Sequence, residues 1–151
     1  TTHFSWRSGN MSIYKAFEHQ HVPEIKQSLR QLQPSFDSEM DFIPYRGVFP
    51  RGSLATEGIK CDAPIDEIEG YYHDFYSEAP FTFYIDKPVD LKQVVNTNKC
   101  LIHAERHRDK LLVTSCIDNL LKGASGQAVQ NMNLMFGLEE TTGLRLKPVG
   151  F

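Results

Sequence analysis

Apolar positions along the chain switch between two periods, and the switches mark its elements. Ile25, Leu29 and Leu32 recur at i, i+4 and i+7 behind Pro23 and Glu24. That spacing predicts an amphipathic helix over residues 23–33, stopping before Pro34. Ile65, Ile68, Tyr72 and Phe75 predict a second helix over residues 64–76. A third runs from about Asn119 to Phe136, with Gly137 as its C-cap. Elsewhere the period shortens to two. Residues 14–21, aromatic and alternating, read as a strand, and so do residues 40–44, 53–61, 81–85, 91–95, 100–106 and 110–116. The last two flank Arg106-His107-Arg108-Asp109, a hairpin turn. Residues 45–52 form a loop punctuated by two Arg-Gly pairs and Pro50. Glu57-Gly58 weakens the strand that follows. Hairpins outnumber crossovers, which predicts an α+β domain: a mostly antiparallel sheet with helices packed on one face.

Bulk properties narrow the function classes. At 151 residues and 40% hydrophobic content the chain holds one core of ordinary size. A net charge of −3 gives no reason to expect nucleic acid or an anionic membrane as a partner. No apolar run approaches the roughly 20 residues of a membrane span, and no signal peptide is expected. Cys61, Cys100 and Cys116 are odd in number and lack metal-site spacing, so no metal is expected and a reducing, cytoplasmic setting is. The first residue is Thr, which raises the expectation of a fragment or processed product.

Four segments carry candidate chemistry. His19 and His21 share a face if their segment is a strand; two imidazoles there suit a proton donor, an oxyanion stabiliser or a metal pair. A metal would need a third ligand, for which only His103 offers itself. Arg51, beside Gly52, suits an anion grip, with Arg46 behind it. Asn96-Thr97-Asn98 reads as a polar turn. Gly123-Ala124-Ser125-Gly126 opens the last helix with small residues, followed by Gln127, Gln130, Asn131 and Asn133. Small residues and free N–H groups at a helix start favour a polar or anionic ligand. Cys116 precedes that start, yet its strand neighbours read as core, so it is read as a buried apolar residue.

Several motifs in one order resemble the N-acetyl-gamma-glutamyl-phosphate reductase family of arginine biosynthesis. They are Glu18-His-Gln-His-Val-Pro-Glu-Ile25, Phe49-Pro-Arg-Gly-Ser-Leu-Ala-Thr56, Val95-Asn-Thr-Asn-Lys-Cys100, the long Ile117–Gly137 segment containing Lys122-Gly-Ala-Ser-Gly-Gln, and Glu140-Thr-Thr-Gly-Leu144. The family is similar to aspartate-semialdehyde and glyceraldehyde-3-phosphate dehydrogenases. The resemblance implies a glyceraldehyde-3-phosphate dehydrogenase C-terminal-domain-like fold. Residues 1–118 would be the substrate-binding and dimerisation domain, and residues 119–151 a helix and tail returning to a Rossmann domain.

For the site, the resemblance implies His19 as acid/base with His21 in support, spacing alone not separating them. It implies Arg51 as an anion-binding residue, and Gly123, Ala124, Ser125, Gly126, Gln127 and Asn131 as facing the nicotinamide of NADP(H). The cofactor itself would be bound mainly by a domain outside this chain. The implied partners are an N-acetyl- or N-succinyl-glutamyl phosphate and further copies of the chain, in a dimer or tetramer. The family's nucleophile sits in a Pro-Gly-Cys motif, which none of the three cysteines matches. The chain therefore looks like the second half of such an enzyme, inactive alone.

Overall fold

The computed structural model describes residues 3–148. They form two compact units, which meet in sequence between Pro50 and Arg51.

The first unit holds a short helix α1 (Phe4–Arg7), strand β1 (Ser12–Ile13), helix α2 (His21–Leu32) and strand β2 (Tyr45–Arg46). β1 and β2 pair antiparallel. The strand expected over residues 14–21 does not form. Lys15 and Phe17 take positive φ, 46° and 63°, and such angles cannot continue a pleat. The segment turns instead, and His21 already begins α2, two residues before the expected start. The aromatic alternation here marks a ring cluster, not a strand. Residues 40–44 pair less than expected. Phe42 and Pro44 accept single bonds from Phe17 and Tyr14, but ladder pairing starts only at Tyr45, inside the expected loop. Pro44 has no N–H to give.

The second unit is built on a four-stranded sheet in the order β3 (Ser53–Lys60), β6 (Lys110–Ile117), β5 (Cys100–His107), β4 (Thr82–Tyr84). β3–β6 and β6–β5 are antiparallel, while β5–β4 is parallel. The fold is thus the expected mostly antiparallel α+β arrangement. Gly58 does not interrupt β3, whose eight residues stay in register with β6. Every one of them is exposed, and β3 is an edge strand.

Period two explains how the sheet buries two faces. On one face Ile102 and Ala104 of β5, Leu111 and Val113 of β6 and Tyr84 of β4 pack with Ile68 of helix α3 (Ile65–Tyr76). On the other, Leu101 and Cys116 pack with Val89 and Val94. The strand expected over residues 91–95 is a 3-10 turn, Leu91–Gln93, because Asp90 caps it. The Asp90 carboxylate accepts from the Lys92 N–H at 2.8 Å, and Gln93 Oε1 accepts from the Asp90 N–H at 3.0 Å.

The last helix also differs from its expected form. Leu121–Ser125 is a π-turn, and the α-helix α4 proper is Gly126–Met135. Gly137 follows with φ 67°, the left-handed stop expected of it. Met132, Met135 and Phe136 of this end stand exposed, Met135 at 81%. Among the described residues no helix is long and apolar enough to cross a membrane.

Candidate functional site

In the first unit, His19 and His21 do come together, although not by strand alternation. Their ring centroids are 4.6 Å apart and nearly perpendicular. The His19 ring also packs on Phe42 at 5.2 Å and Tyr14 at 5.6 Å. Its Nδ1 accepts the backbone N–H of His21 at 3.2 Å, so the imidazole serves the first amide of α2 as a side-chain cap. A ring nitrogen that accepts is unprotonated. The neutral ring therefore carries its proton on Nε2 and presents an N–H outward. Desolvation, His21 and Lys15 together hold the His19 pKa below its ordinary value, with Glu24 opposing them weakly. His21 is exposed. Arg46 stacks over the Tyr14 ring at 4.0 Å.

In the second unit, Arg51 is held within the protein. Its Nε stands 2.9 Å from Oδ2 of Asp118, an ion pair lying off the hydrogen-bond line. Its Nη1 donates to Asn96 Oδ1. Gly52, next to it, has φ 112° and lies where a β-carbon would meet Leu91 Cδ2 at 2.9 Å. The left-handed backbone angle by itself favours glycine at this position. Its N–H donates to Asn119 Oδ1 at 2.6 Å.

Asp118 is the residue that sequence reasoning passed over. Its side chain is fully buried. Oδ1 accepts from the N–H groups of Leu120 and Leu121, each at 2.9 Å, and Oδ2 accepts from the Asn96 N–H at 2.7 Å. Burial alone would raise its pKa. The three amides and Arg51 outweigh burial and hold it below the ordinary carboxylate value. The available signal was an Asp directly before the start of the last helix, the position that caps it.

These bonds revise the picture of the Gly123–Gly126 turn. The expected free amides are mostly occupied. Those of Leu120 and Leu121 go to Asp118 Oδ1, Gly123 to the Asp118 carbonyl, Ser125 to Leu120, and Gly126 to Leu121. What the turn offers is a smooth exposed surface of Gly123, Ala124 and Ser125, with exposed Gln127 and Asn131 one helical turn apart on α4. Gly126 is buried against Asn98, so its role is packing.

Gln130 and Asn133 are likewise internal. Gln130 Oε1 accepts from Asn98 Nδ2 at 2.9 Å and Lys122 Nζ at 3.0 Å, and its Nε2 donates to Glu140 at 2.7 Å. Asn133 Nδ2 donates to the carbonyls of Glu140 and Thr142. Thr97 and Asn98, expected in a polar turn, are buried.

Cys116 is 1% exposed, and burial pushes its thiol up to about 11, in keeping with a core residue. His103 Nδ1 lies 2.9 Å from the Ile85 carbonyl, to which it donates. Among the described residues no group of three or more His, Cys, Asp or Glu is placed to hold a metal.

Comparison with known proteins agrees with the motifs. A family model described as "Semialdehyde dehydrogenase, dimerisation domain" matches residues 1–119. The chain is 70% identical over 151 residues to a protein of Phocaeicola vulgatus named N-acetyl-gamma-glutamyl-phosphate reductase, covering 100% of this chain and 47% of that one. Proteins of the same name from Parabacteroides distasonis and Karelsulcia muelleri are 62% and 50% identical, over 100% and 97% of this chain and 47% and 45% of theirs. The chain thus spans about half the length of the curated relatives it matches.

Proposed function

The chain belongs to the semialdehyde dehydrogenase dimerisation-domain family, and from that premise we propose that it is the C-terminal part of an NADPH-dependent N-acyl-gamma-glutamyl-phosphate reductase. Residues 1–118 bind substrate and a second copy of the chain, and residues 119–151 return to a nucleotide-binding domain. The reaction converts an N-acetyl- or N-succinyl-glutamyl phosphate to the semialdehyde with release of phosphate, in the cytoplasm. The observation that carries this reading is 70% identity over all 151 residues to a protein of that name.

The roles of the chain's own residues follow from their chemistry. His19 presents Nε2–H to the substrate, as an N–H donor to the carbonyl oxygen as charge develops there. Its neutrality is favoured by the lowered pKa, and its Nδ1 is already committed to the His21 amide. His21, exposed two residues beyond, contacts the substrate's polar groups. Arg51 meets a carboxylate or phosphate with the guanidinium edge that Asp118 and Asn96 leave open. The exposed faces of Gly123, Ala124 and Ser125 admit a flat ring close to the main chain. Gln127 and Asn131 offer amide donors and acceptors beside it, which fits a nicotinamide carboxamide. NADPH, when bound, supplies the reducing equivalent. The attacking thiol is none of Cys61, Cys100 or Cys116.

The test is a coupled assay following NADPH oxidation with the acyl phosphate as substrate. The 151-residue chain alone should show no turnover, and the intact protein carrying it should. Robust turnover by the chain alone would overturn the assignment and return attention to Cys116. In the intact protein, loss of activity on His19→Gln but not on His21→Gln would assign the acid/base; the reverse result would exchange their roles.

A further inference from the structure

We propose that Asp118 and Asn96 are positioning residues, which clamp the Arg51 guanidinium and the Leu121–Ser125 turn into one frame, so that a substrate anion on Arg51 and a ring beside the turn are held in fixed register. The inference rests on the reading above for what the frame serves, and on geometry for the frame itself.

The Asp118 carboxylate has four partners from three separate stretches of chain. Arg51 lies just before β3, Asn96 in the loop before β5, and Leu120 and Leu121 at the head of the turn. Three of them donate hydrogen bonds and Arg51 pairs with it by charge, so both carboxylate oxygens are engaged. Asn96 closes the frame from the other side. With φ 63° it sits in the left-handed region that Asn tolerates, and there its N–H reaches Asp118 while its Oδ1 takes Arg51 Nη1. Arg51 is therefore gripped along its Nε–Nη1 edge. Its Nη2 has no partner among the described residues. A bare Arg51 would have to lose its rotamer freedom on binding an anion, whereas the clamped one has lost it already. Gly52 N–H on Asn119 Oδ1 ties the same two stretches once more.

The frame makes a prediction that a purely structural role does not. Asp118→Asn keeps one oxygen for Leu120 and Leu121, but turns an N–H₂ toward Asn96 N–H and Arg51. In the intact protein KM for the acyl phosphate should rise about tenfold or more, the worth of one charge-assisted bond, and rise more than kcat falls. Hydrogen exchange at the Asn96 amide should quicken, with Leu120 and Leu121 still protected. Should Asp118→Asn fail to fold, Asn96→Gly permits the same φ and keeps the N–H to Asp118, removing only the bracket on Nη1. It should raise KM severalfold with an unchanged melting temperature.

An unchanged or lowered KM, or a kcat loss with KM intact, overturns the proposal. If the unsubstituted intact protein shows no reductase turnover, the functional reading fails. Exchange at Asn96 then still decides the frame: quickening supports it, and unchanged exchange overturns it.

Discussion

The carboxamide of Asn98 rests against the backbone of Gly126, so closely that a β-carbon on Gly126 would stand 2.4 Å from Asn98 Oδ1 and 3.0 Å from the Leu121 carbonyl. Neither neighbour can easily move. Asn98 is fully buried and tied through Nδ2 to Gln130, and the Leu121 carbonyl accepts from Gly126 itself. Gly126→Ala should therefore destabilise the second unit by about 1–3 kcal/mol, the usual cost of overpacking. Gly123→Ala makes the contrast, since its β-carbon would meet nothing nearer than 3.6 Å. It should leave stability unchanged or raise it by up to about 1 kcal/mol. Denaturant unfolding of both variants checks the pair; equal losses would contradict the packing account.

Asp118 predicts a particular acid sensitivity. Its folded pKa is depressed below the unfolded value of 3.8, so its contribution is fully present above that value. It drains away as pH falls through the folded value. Asp118→Asn should flatten the acid limb of a stability-against-pH curve. Arg51→Ala leaves the buried carboxylate without its cation and should cost about 3 kcal/mol at neutral pH. A curve for Asp118→Asn that parallels the unsubstituted chain would count against this.

Cys116 and Tyr84 predict an alkaline limb of opposite sign. Burial raises the thiol to about 11; burial and a hydrogen bond to Glu69 raise the phenol to about 12. Both neutral forms are favoured in the fold. Their contribution is present below the unfolded values of 9.0 and 10.0 and is lost as pH climbs toward the folded ones. By the same burial, iodoacetamide at neutral pH should label half-buried Cys61 well before Cys116 in the native chain. Early labelling at Cys116, read by peptide mass spectrometry, would refute its assignment to the core.

His19 predicts a pH-dependent start to α2. Nδ1 accepts the His21 N–H only while unprotonated. The folded pKa lies below 6.5, so the cap is present above that value and is lost as pH falls through the folded one. His19→Ala should weaken the first turn of α2 at neutral pH, where the cap is present, and make no further difference once the ring is protonated, whereas His19→Asn should retain an acceptor there. Amide exchange at His21 and Val22 across pH reads this directly; pH-independent protection would exclude the ring as cap.

The end of α4 predicts self-association. Met135 and Phe136 are 81% and 75% exposed, with Met132 and Leu138 beside them. Each such side chain is worth about 1.5–3 kcal/mol when buried. The isolated chain should sediment above its monomer mass, and Met135→Glu should shift it downward. If Met135→Glu leaves the distribution unchanged, association runs through another surface.

Periodicity made the sheet legible because its strands are period-two segments with buried neighbours. Leu101 and Cys116 face one way, Ile102 and Val113 the other, and the expected hairpin lies between them. It failed where backbone angle overrode pattern. Lys15 and Phe17 look like strand residues but take positive φ. Leu91, Val94 and Val95 look like strand residues, yet Asp90 caps the segment into a 3-10 turn. At the candidate site, residue types pointed to His19, His21 and Arg51, but partners could not be read. The grip on Arg51 comes from Asp118 and Asn96, 67 and 45 residues away in sequence, and no local spacing records such contacts.

The π-turn at Leu121–Ser125 acts as a phase shifter. Its ring closes over one residue more than an α-helical turn, so it takes up a residue without lengthening the helix cap. Remove any one residue from it and Asp118 would still cap a regular α-helix. Everything beyond would then be rotated by about 100°. Gly126 would leave Asn98, Gln130 would leave Lys122 and Glu140, and Gln127 and Asn131 would face a new direction. The spare residue is what holds the cap at one end of this helix and the amide face along its side in their present directions.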